Sequence, residues 1–448
     1  MTPPLEDLTD ALISAAKKAG ADAADAIAVQ GTSVRVGVRA GTLEQAESAD
    51  GTDIGLRVLI GGKQACVSAS DTSKTTINTL AERAVAMAQE APDDPNVGLA
   101  EPSQIGLGCD PATLELCDES ATPSPDALRD AALAVEAAAL QVDGVSQVSS
   151  AAASHARRAI HMAASNGFSE GYARSDHSLY GVAIAGEGTG MERDSDGDAR
   201  IYHADLRSAE DIGRRAGQRA VSLLNARKPK TGAYPVLYDE RIASSLVGHL
   251  LGAINGQAVA RGASWLREKM GDQVLPDGID LVEDPHRPRV GASRAFDAEG
   301  LPTARRHIVE NGVLQGWTLD LATARKLGQS STANAMRGTS NPPSPGTWNV
   351  TLTQGSHTKE ELMAQMGTGL LVTSMIGATI NPNTGDYSRG ASGFWIENGE
   401  IAYPVNECTI AGSLPEMLKR IVPANDARTY LSRVVPSLLV EGMTLAGA

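Results

Sequence analysis

Three two-residue turn signals constrain this chain more than any other feature. Gly61-Gly62 divides "IGLRVLIGGKQACVSAS", and Asn311-Gly312 and Asn398-Gly399 fall between further strand-like runs. Glycine and asparagine tolerate positive φ, and the primed turns they form match the twist of the strands they join. Apolar and polar residues alternate in "SVRVGVRAG" and its neighbours, the pattern of a half-buried strand. Antiparallel sheets are therefore expected in both halves of the chain.

Helical patterns lie between these strands. Leu5, Leu8, Leu12, Ile13 and Ala16 share one helical face. "TSKTTINTLAERAVAMAQEA" opens on a Thr/Ser cap, and "SPDALRDAALAVEAAALQV" has Pro beside its cap. "SAEDIGRRAGQRAVSLLNA" closes a strand-rich stretch that runs from about Val145 to Leu206. Within that stretch, "GEGTGMERDSDGD" offers glycines for a phosphate loop, but no helix start follows and its acids would repel phosphate; it reads as a long hairpin loop. The predicted fold class is α+β: N-terminal α/β units with antiparallel sheets, then a mostly-β C-terminal domain with a few helices. The expected units are residues 1–110, 118–228 and 232–448, separated by "PDDPNVGLAEPSQ" and the basic "RKPKTG". A chain of 448 residues suits two or three domains.

Aromatic residues make up only 3%, so the cores must be built from Ala, Val, Leu and Ile. The net charge of −15 and the lack of stacking platforms argue against direct nucleic-acid binding. Cys66, Cys109, Cys117 and Cys408 form no C-x-x-C pair and are too sparse for a disulfide framework. With no signal-peptide pattern at the start and no run of about 18 apolar residues, a cytoplasmic protein outside the membrane is expected.

The chemistry is harder to place. "SSLVGHLLGAINGQAVARGASWL", Ser244 to Leu266, reads as one helix with a single histidine at its centre. The residue one turn beyond His249 is Ala253 and the one before it is Gly248, so neither a second ligand nor a general base stands beside it. A packed or groove-lining histidine is the expected role. Glycines at 248, 252 and 256 would let another backbone approach this helix. His155 and His161 lie on one strand face, roughly 20 Å apart, too far to share an ion. There is no G-x-S-x-G elbow.

"NPNTGDYSRGASGFWIENGEIAYPVNECTIAGSLPEML" resembles the PmbA (TldE) branch of the TldD/PmbA family. So do "DGTDIGLRVLIGGKQACVSASD", "INGQAVARGASWL" and "MRGTSNPPSPG", in the same order along the chain. The resemblance implies a heteromeric zinc peptidase in which the TldD-like subunit carries H-E-x-x-x-H on a helix and a cysteine near its C-terminus. Aligned on "GQAVARG", those helix positions here are Val247, Gly248 and Gly252, and "NDARTYLSRVVPSLLVEGM" supplies no cysteine. Cys408 lies where no ligand is expected. The implied role is a subunit without catalytic residues, metal or cofactor of its own, zinc being held by a TldD-like partner.

Such a subunit would help to form a channel for unfolded or small peptides. His249, Asn255 and Gly256 are the candidate peptide-groove or partner contacts. A second copy of itself is the alternative partner for the isolated chain. The competing function is a protein-binding regulator, of the gyrase-modulator type, that acts without a protease.

Overall fold

The computed structural model describes residues 3–120 and 122–447, with Ala378 described by its backbone alone. The first half of the chain contains α1 (Leu5–Ala19), β1 (Ala23–Arg39), β2 (Thr42–Ile60), β3 (Lys63–Ala69), α2 (Lys74–Glu90), α3 (Pro125–Leu140), β4 (Val145–Ala164), β5 (Ser169–Ala185), β6 (Glu192–Arg200) and α4 (Ala209–Ser222). Its strands form one antiparallel sheet in the order β3-β2-β1-β4-β5-β6, continuous through both N-terminal units.

Strand β1 shows how the two sheet faces are used. It has 17 residues and spans roughly 55 Å. Ala24, Ala26 and Ala28 pack under α1 and α2, and Val36 and Val38 pack under α3 and α4. The alternate residue Ile27 points to the other face, where Met162, Phe168, Leu114 and Phe296 meet it. Small residues hold the helices close: a Cβ on Gly213 of α4 would overlap the Val135 carbonyl of α3, and one on Gly217 would lie 3.0 Å from the Ala139 carbonyl.

The acid-rich stretch after β5 is not a long loop. Gly186–Met191 turns the chain, and Glu192–Arg200 is an edge strand paired residue by residue with β5. Its carboxylates are held by arginines: Asp196 by Arg207 and Arg219, each at 2.7 Å, and Asp194 by Arg241 at 3.2 Å. Aspartate disfavours strand, but these ion pairs and the sheet register override that preference.

The second half contains β7 (Gly232–Tyr238), α5 (Glu240–Ala253), α6 (Gly256–Ala260), β8 (Leu281–Glu283), β9 (Arg306–Glu310), β10 (Val313–Leu314), α7 (Leu321–Lys326), β11 (Ala335–Met336), β12 (Ser344–Pro345), β13 (Val350–Leu352) and α8 (Lys359–Met366). These are followed by β14 (Gly369–Ile380), β15 (Asp386–Glu397), β16 (Glu400–Ser413), α9 (Leu414–Leu418), β17 (Val422–Pro423), β18 (Arg433–Val434) and β19 (Leu438–Ala446). Strands β16-β15-β14-β7-β19 close into a barrel, because β16 also pairs with β19. A second sheet runs β10-β9-β8-β13-β18. Leu246, Val247, Leu250 and Leu251 of α5 share one core with residues of both. The expected α+β class, with antiparallel sheets and a strand-rich C-terminal half, is the one found. No described helix is long and apolar enough to cross a membrane.

The halves are joined by a buried charge cluster. Asp25 of β1 accepts from Arg57 Nε of β2 at 2.6 Å and also pairs with Arg337, which follows β11. Arg57 and Arg337 side chains are 4% and 1% exposed, so neither guanidinium can turn to water if the carboxylate is lost. Asp25→Asn should therefore destabilise the protein by about 3–5 kcal/mol, the usual result of breaking one member of a buried ion pair. Urea unfolding reads this directly; a loss below about 1 kcal/mol, as for a surface pair, would refute it.

Candidate functional site

Helix α5 starts earlier and stops sooner than its sequence pattern suggests. Asp239 caps it, accepting from the Arg241 N–H at 3.2 Å. The helix ends at Ala253, and Asn255 begins a new one by accepting from the Gln257 N–H at 3.0 Å. The single helix expected over 244–266 is thus two helices with a break at Ile254-Asn255, followed by turns. The asparagine side chain competes successfully for the backbone donor. Its amide nitrogen also donates to the Pro345 carbonyl at 2.8 Å, and the Gly256 N–H donates to Thr318 O at 2.9 Å. Asn255 and Gly256 are therefore bonded within the chain itself.

The three motif positions face different surroundings. Val247 is 1% exposed and lies in the main core. A Cβ on Gly248 would meet only the Arg433 guanidinium, at 3.3 Å, and one on Gly252 would meet nothing within 4 Å. Close approach of another backbone, expected along all three glycines, occurs only at Gly256, against Thr318 O at 2.9 Å.

His249 is half-buried. Its ring stands edge-on to Tyr387, with centroids 5.8 Å apart, and its buried Nε2 has no partner among the described residues. Burial first, and Arg389 second, lower its pKa below the ordinary histidine range, so the ring is neutral. Behind it the Tyr387 and Tyr238 hydroxyls lie 3.4 Å apart, both pushed up by burial and both protonated at neutral pH. No carboxylate pairs with His249 among the described residues, so it lacks the group that usually orients a general base. The zinc that the resemblance implies does not fit here: Val247, Gly248 and Gly252 carry no side-chain donor atom. Cys408 is buried, with its thiol on the Ala391 carbonyl, and no described group of three or more His, Cys, Asp or Glu is arranged to hold a metal.

A histidine cluster escaped the sequence reading. Register places His155 of β4 directly opposite His177 of β5, with ring centroids 4.5 Å apart, and His203 lies 5.4 Å from His177. Among the described residues, all four ring nitrogens of His155 and His177 are buried without hydrogen bonds. Asp118 approaches His177 Nε2 at 3.6 Å. Although burial opposes it, the N–H groups of His203 and Ser120 hold the Asp118 carboxyl down to about 2. Burial, then repulsion from His155 and His203, lowers His177 to about 4, against the pull of Asp118 and Asp176. His161, by contrast, bonds Thr9 at 2.9 Å, far along β4 from this cluster.

Models of the PmbA/TldA metallopeptidase domains match residues 24–88 (domain 1), 118–224 (central domain) and 231–447 (C-terminal domain). The metalloprotease PmbA of Escherichia coli O157:H7 is 35% identical over 428 residues, 95% of this chain and 92% of that protein. A crystal structure of a proposed modulator of DNA gyrase from Bacteroides thetaiotaomicron is 26% identical, covers 99% of each chain and superposes with a TM-score of 0.91. TldE from Thermococcus kodakarensis has the same fold at 22% identity, with a TM-score of 0.86 over 98% of this chain and 100% of that one.

Two outcomes follow from this geometry. Gly252→Ala should stabilise the protein by about 0.5–1 kcal/mol through helix propensity. Gly256→Ala should cost about 1–3 kcal/mol, because Thr323, Leu319 and Thr318 must all give way. Equal effects in urea unfolding would refute the assignment of open and closed sides.

The second concerns acid stability. His177 has a lower pKa folded than unfolded, so the unfolded chain binds more protons between the two values. Its contribution is complete above about 6.5, the ordinary value, and is lost as pH falls through about 4. That amounts to about 3 kcal/mol. His177→Gln should flatten the stability profile across this window; an unchanged slope would rule the cluster out as the source of acid lability.

Proposed function

This chain belongs to the PmbA/TldA metallopeptidase family, and we propose that within it the chain serves as the zinc-free subunit of a two-component cytoplasmic peptidase. A TldD-like partner would hold the zinc and cleave unfolded or small peptides, and this chain would complete the substrate path. The observation that carries the reading is the helix α5, where one motif position is a core valine and the other two are glycines. His249 cannot stand in, with a neutral ring against Tyr387 and no second ligand beside it.

The first sheet supplies a surface for extended chains. From Thr42 to Asp53, β2 pairs with β1 on one side and with no described strand on the other, since β3 begins pairing only at Ile54. Backbone addition at such an edge is tolerant of sequence, as a path for varied peptides requires. Glu44, Glu47 and Asp50 line this edge and favour basic segments.

The test is co-purification with the TldD-like protein of the same cell, followed by cleavage of a labelled unfolded peptide by each chain and by both. Chelator-sensitive cleavage is expected only when the TldD-like chain is present, with zinc assigned to it by elemental analysis of the separated subunits. One tightly held zinc in this chain alone, or turnover by it alone, would overturn the reading. The variant Val247→His, Gly248→Glu, Gly252→His should remain inactive alone. Its first new histidine would be buried in an apolar core, and the cysteine ligand is still missing.

A further inference from the structure

A cavity of about 230 Å³ lies between the lower face of the first sheet and the C-terminal half. Ile27 and Val29 of β1 and Ile160 and Met162 of β4 form its apolar wall, and Tyr172, Phe296 and Trp348 add aromatic surface. Four arginines also line it, Arg158, Arg174, Arg294 and Arg337, in a chain whose net charge is −15. Among the described residues, carboxylates pair with only two of the four. Arg174 pairs with Asp176 at 3.0 Å, and Arg337 shares Asp25 with Arg57.

Arg294 donates to the backbone carbonyls of Gly291 and Ser293 and bonds the Tyr172 side chain, with its guanidinium 5.0 Å from the centre of the Tyr172 ring. Arg158 is exposed and has no hydrogen bond or ion pair among the described residues. The remaining acid in the lining, Asp297, spends its oxygens on the N–H groups of Glu299, Leu301 and Ala335. Arg337 Nη2 is buried with no partner among the described residues, and its side chain is only 1% exposed. An unpaired buried guanidinium nitrogen beside a cavity is costly unless a ligand completes it.

We propose that this cavity binds a terminal carboxylate carried on an apolar residue, namely the free C-terminus of a short peptide ending in an aromatic or aliphatic side chain. The guanidinium fork matches a planar carboxylate, and the aromatic and aliphatic walls match the side chain. A dianionic phosphate suits the site less well, since it has no apolar part to meet the aliphatic and aromatic walls. The peptide as source of the carboxylate rests on the peptidase reading above. The binding itself needs neither the partner nor cleavage.

The experiment is calorimetric titration of the full-length chain, alone, with N-acetyl-alanyl-phenylalanine as the free acid, with its C-terminal amide, and with inorganic phosphate. The acid should bind about tenfold or more tighter than the amide, the worth of one charge-assisted hydrogen bond, and should weaken as salt is raised. Arg294→Gln and Arg158→Gln should each weaken the acid about tenfold and leave the amide unchanged. Arg158 is exposed and unpaired, so that variant reports even if Arg294→Gln fails to fold. Equal binding of acid and amide, tighter binding of phosphate, or indifference to Arg158→Gln would each overturn the proposal. Acid binding by a chain whose assembled complex cleaves nothing would sink the peptidase reading and leave this site standing. Cleavage without acid binding would do the reverse.

Discussion

The carboxylate of Asp25 is the point on which the two halves of the molecule depend. It pairs with Arg57 from its own sheet and with Arg337 from the segment after β11, both almost wholly buried. Burial lowers both guanidiniums, Arg337 to about 10, without discharging either at neutral pH. A single anion serving two cations fixes their separation. It thereby fixes how the loop around Arg337 crosses β2, where a Cβ on Gly55 would overlap the Thr339 backbone. The arginine-lined cavity lies between the two halves that this cluster joins.

Helix α5 is held by packing on one side and by ion pairs at its start. Its apolar face is shared between the barrel and the second sheet, which explains why Val247, Leu250 and Leu251 are apolar whatever the chemistry of the exposed side. The first turn is tied to three elements: Asp239 to Lys359 of α8, Glu240 to Arg428 and Arg241 to Asp194 of β6. These ties fix the helix from its first turn.

Much of this was legible in the sequence because it is local. Gly61-Gly62, Asn311-Gly312 and Asn398-Gly399 each join the predicted strands, and both Asn-Gly pairs adopt positive φ at both residues. Helix α1 lies where its apolar periodicity places it, and α2, α3 and α4 lie where periodicity and serine caps place them. What stayed hidden depends on register between distant segments. His155 meets His177 only because β4 and β5 pair in one of many possible registers. The alternating aspartates of β6 carried a strand period, but their arginine partners come from α4 and α5, so acidity masked the strand. Four-residue glycine spacing was visible on α5, where it is mostly open, and went unused on α4, where Gly213 and Gly217 bring two helices into contact. The pattern says that a backbone could approach, and only the fold says where one does.

The barrel has a consequence for synthesis. Strand β19, Leu438–Ala446, fills the gap between β7 and β16, and β7 lies some two hundred residues upstream. The first sheet can complete itself once Arg200 has left the ribosome, because every strand it needs has then been made. The barrel cannot, and α5 must wait with its apolar face uncovered while the remaining strands are translated. During that interval the finished N-terminal sheet, whose Arg158 and Arg174 await the far wall of their cavity, is the natural neighbour for the nascent C-terminal half.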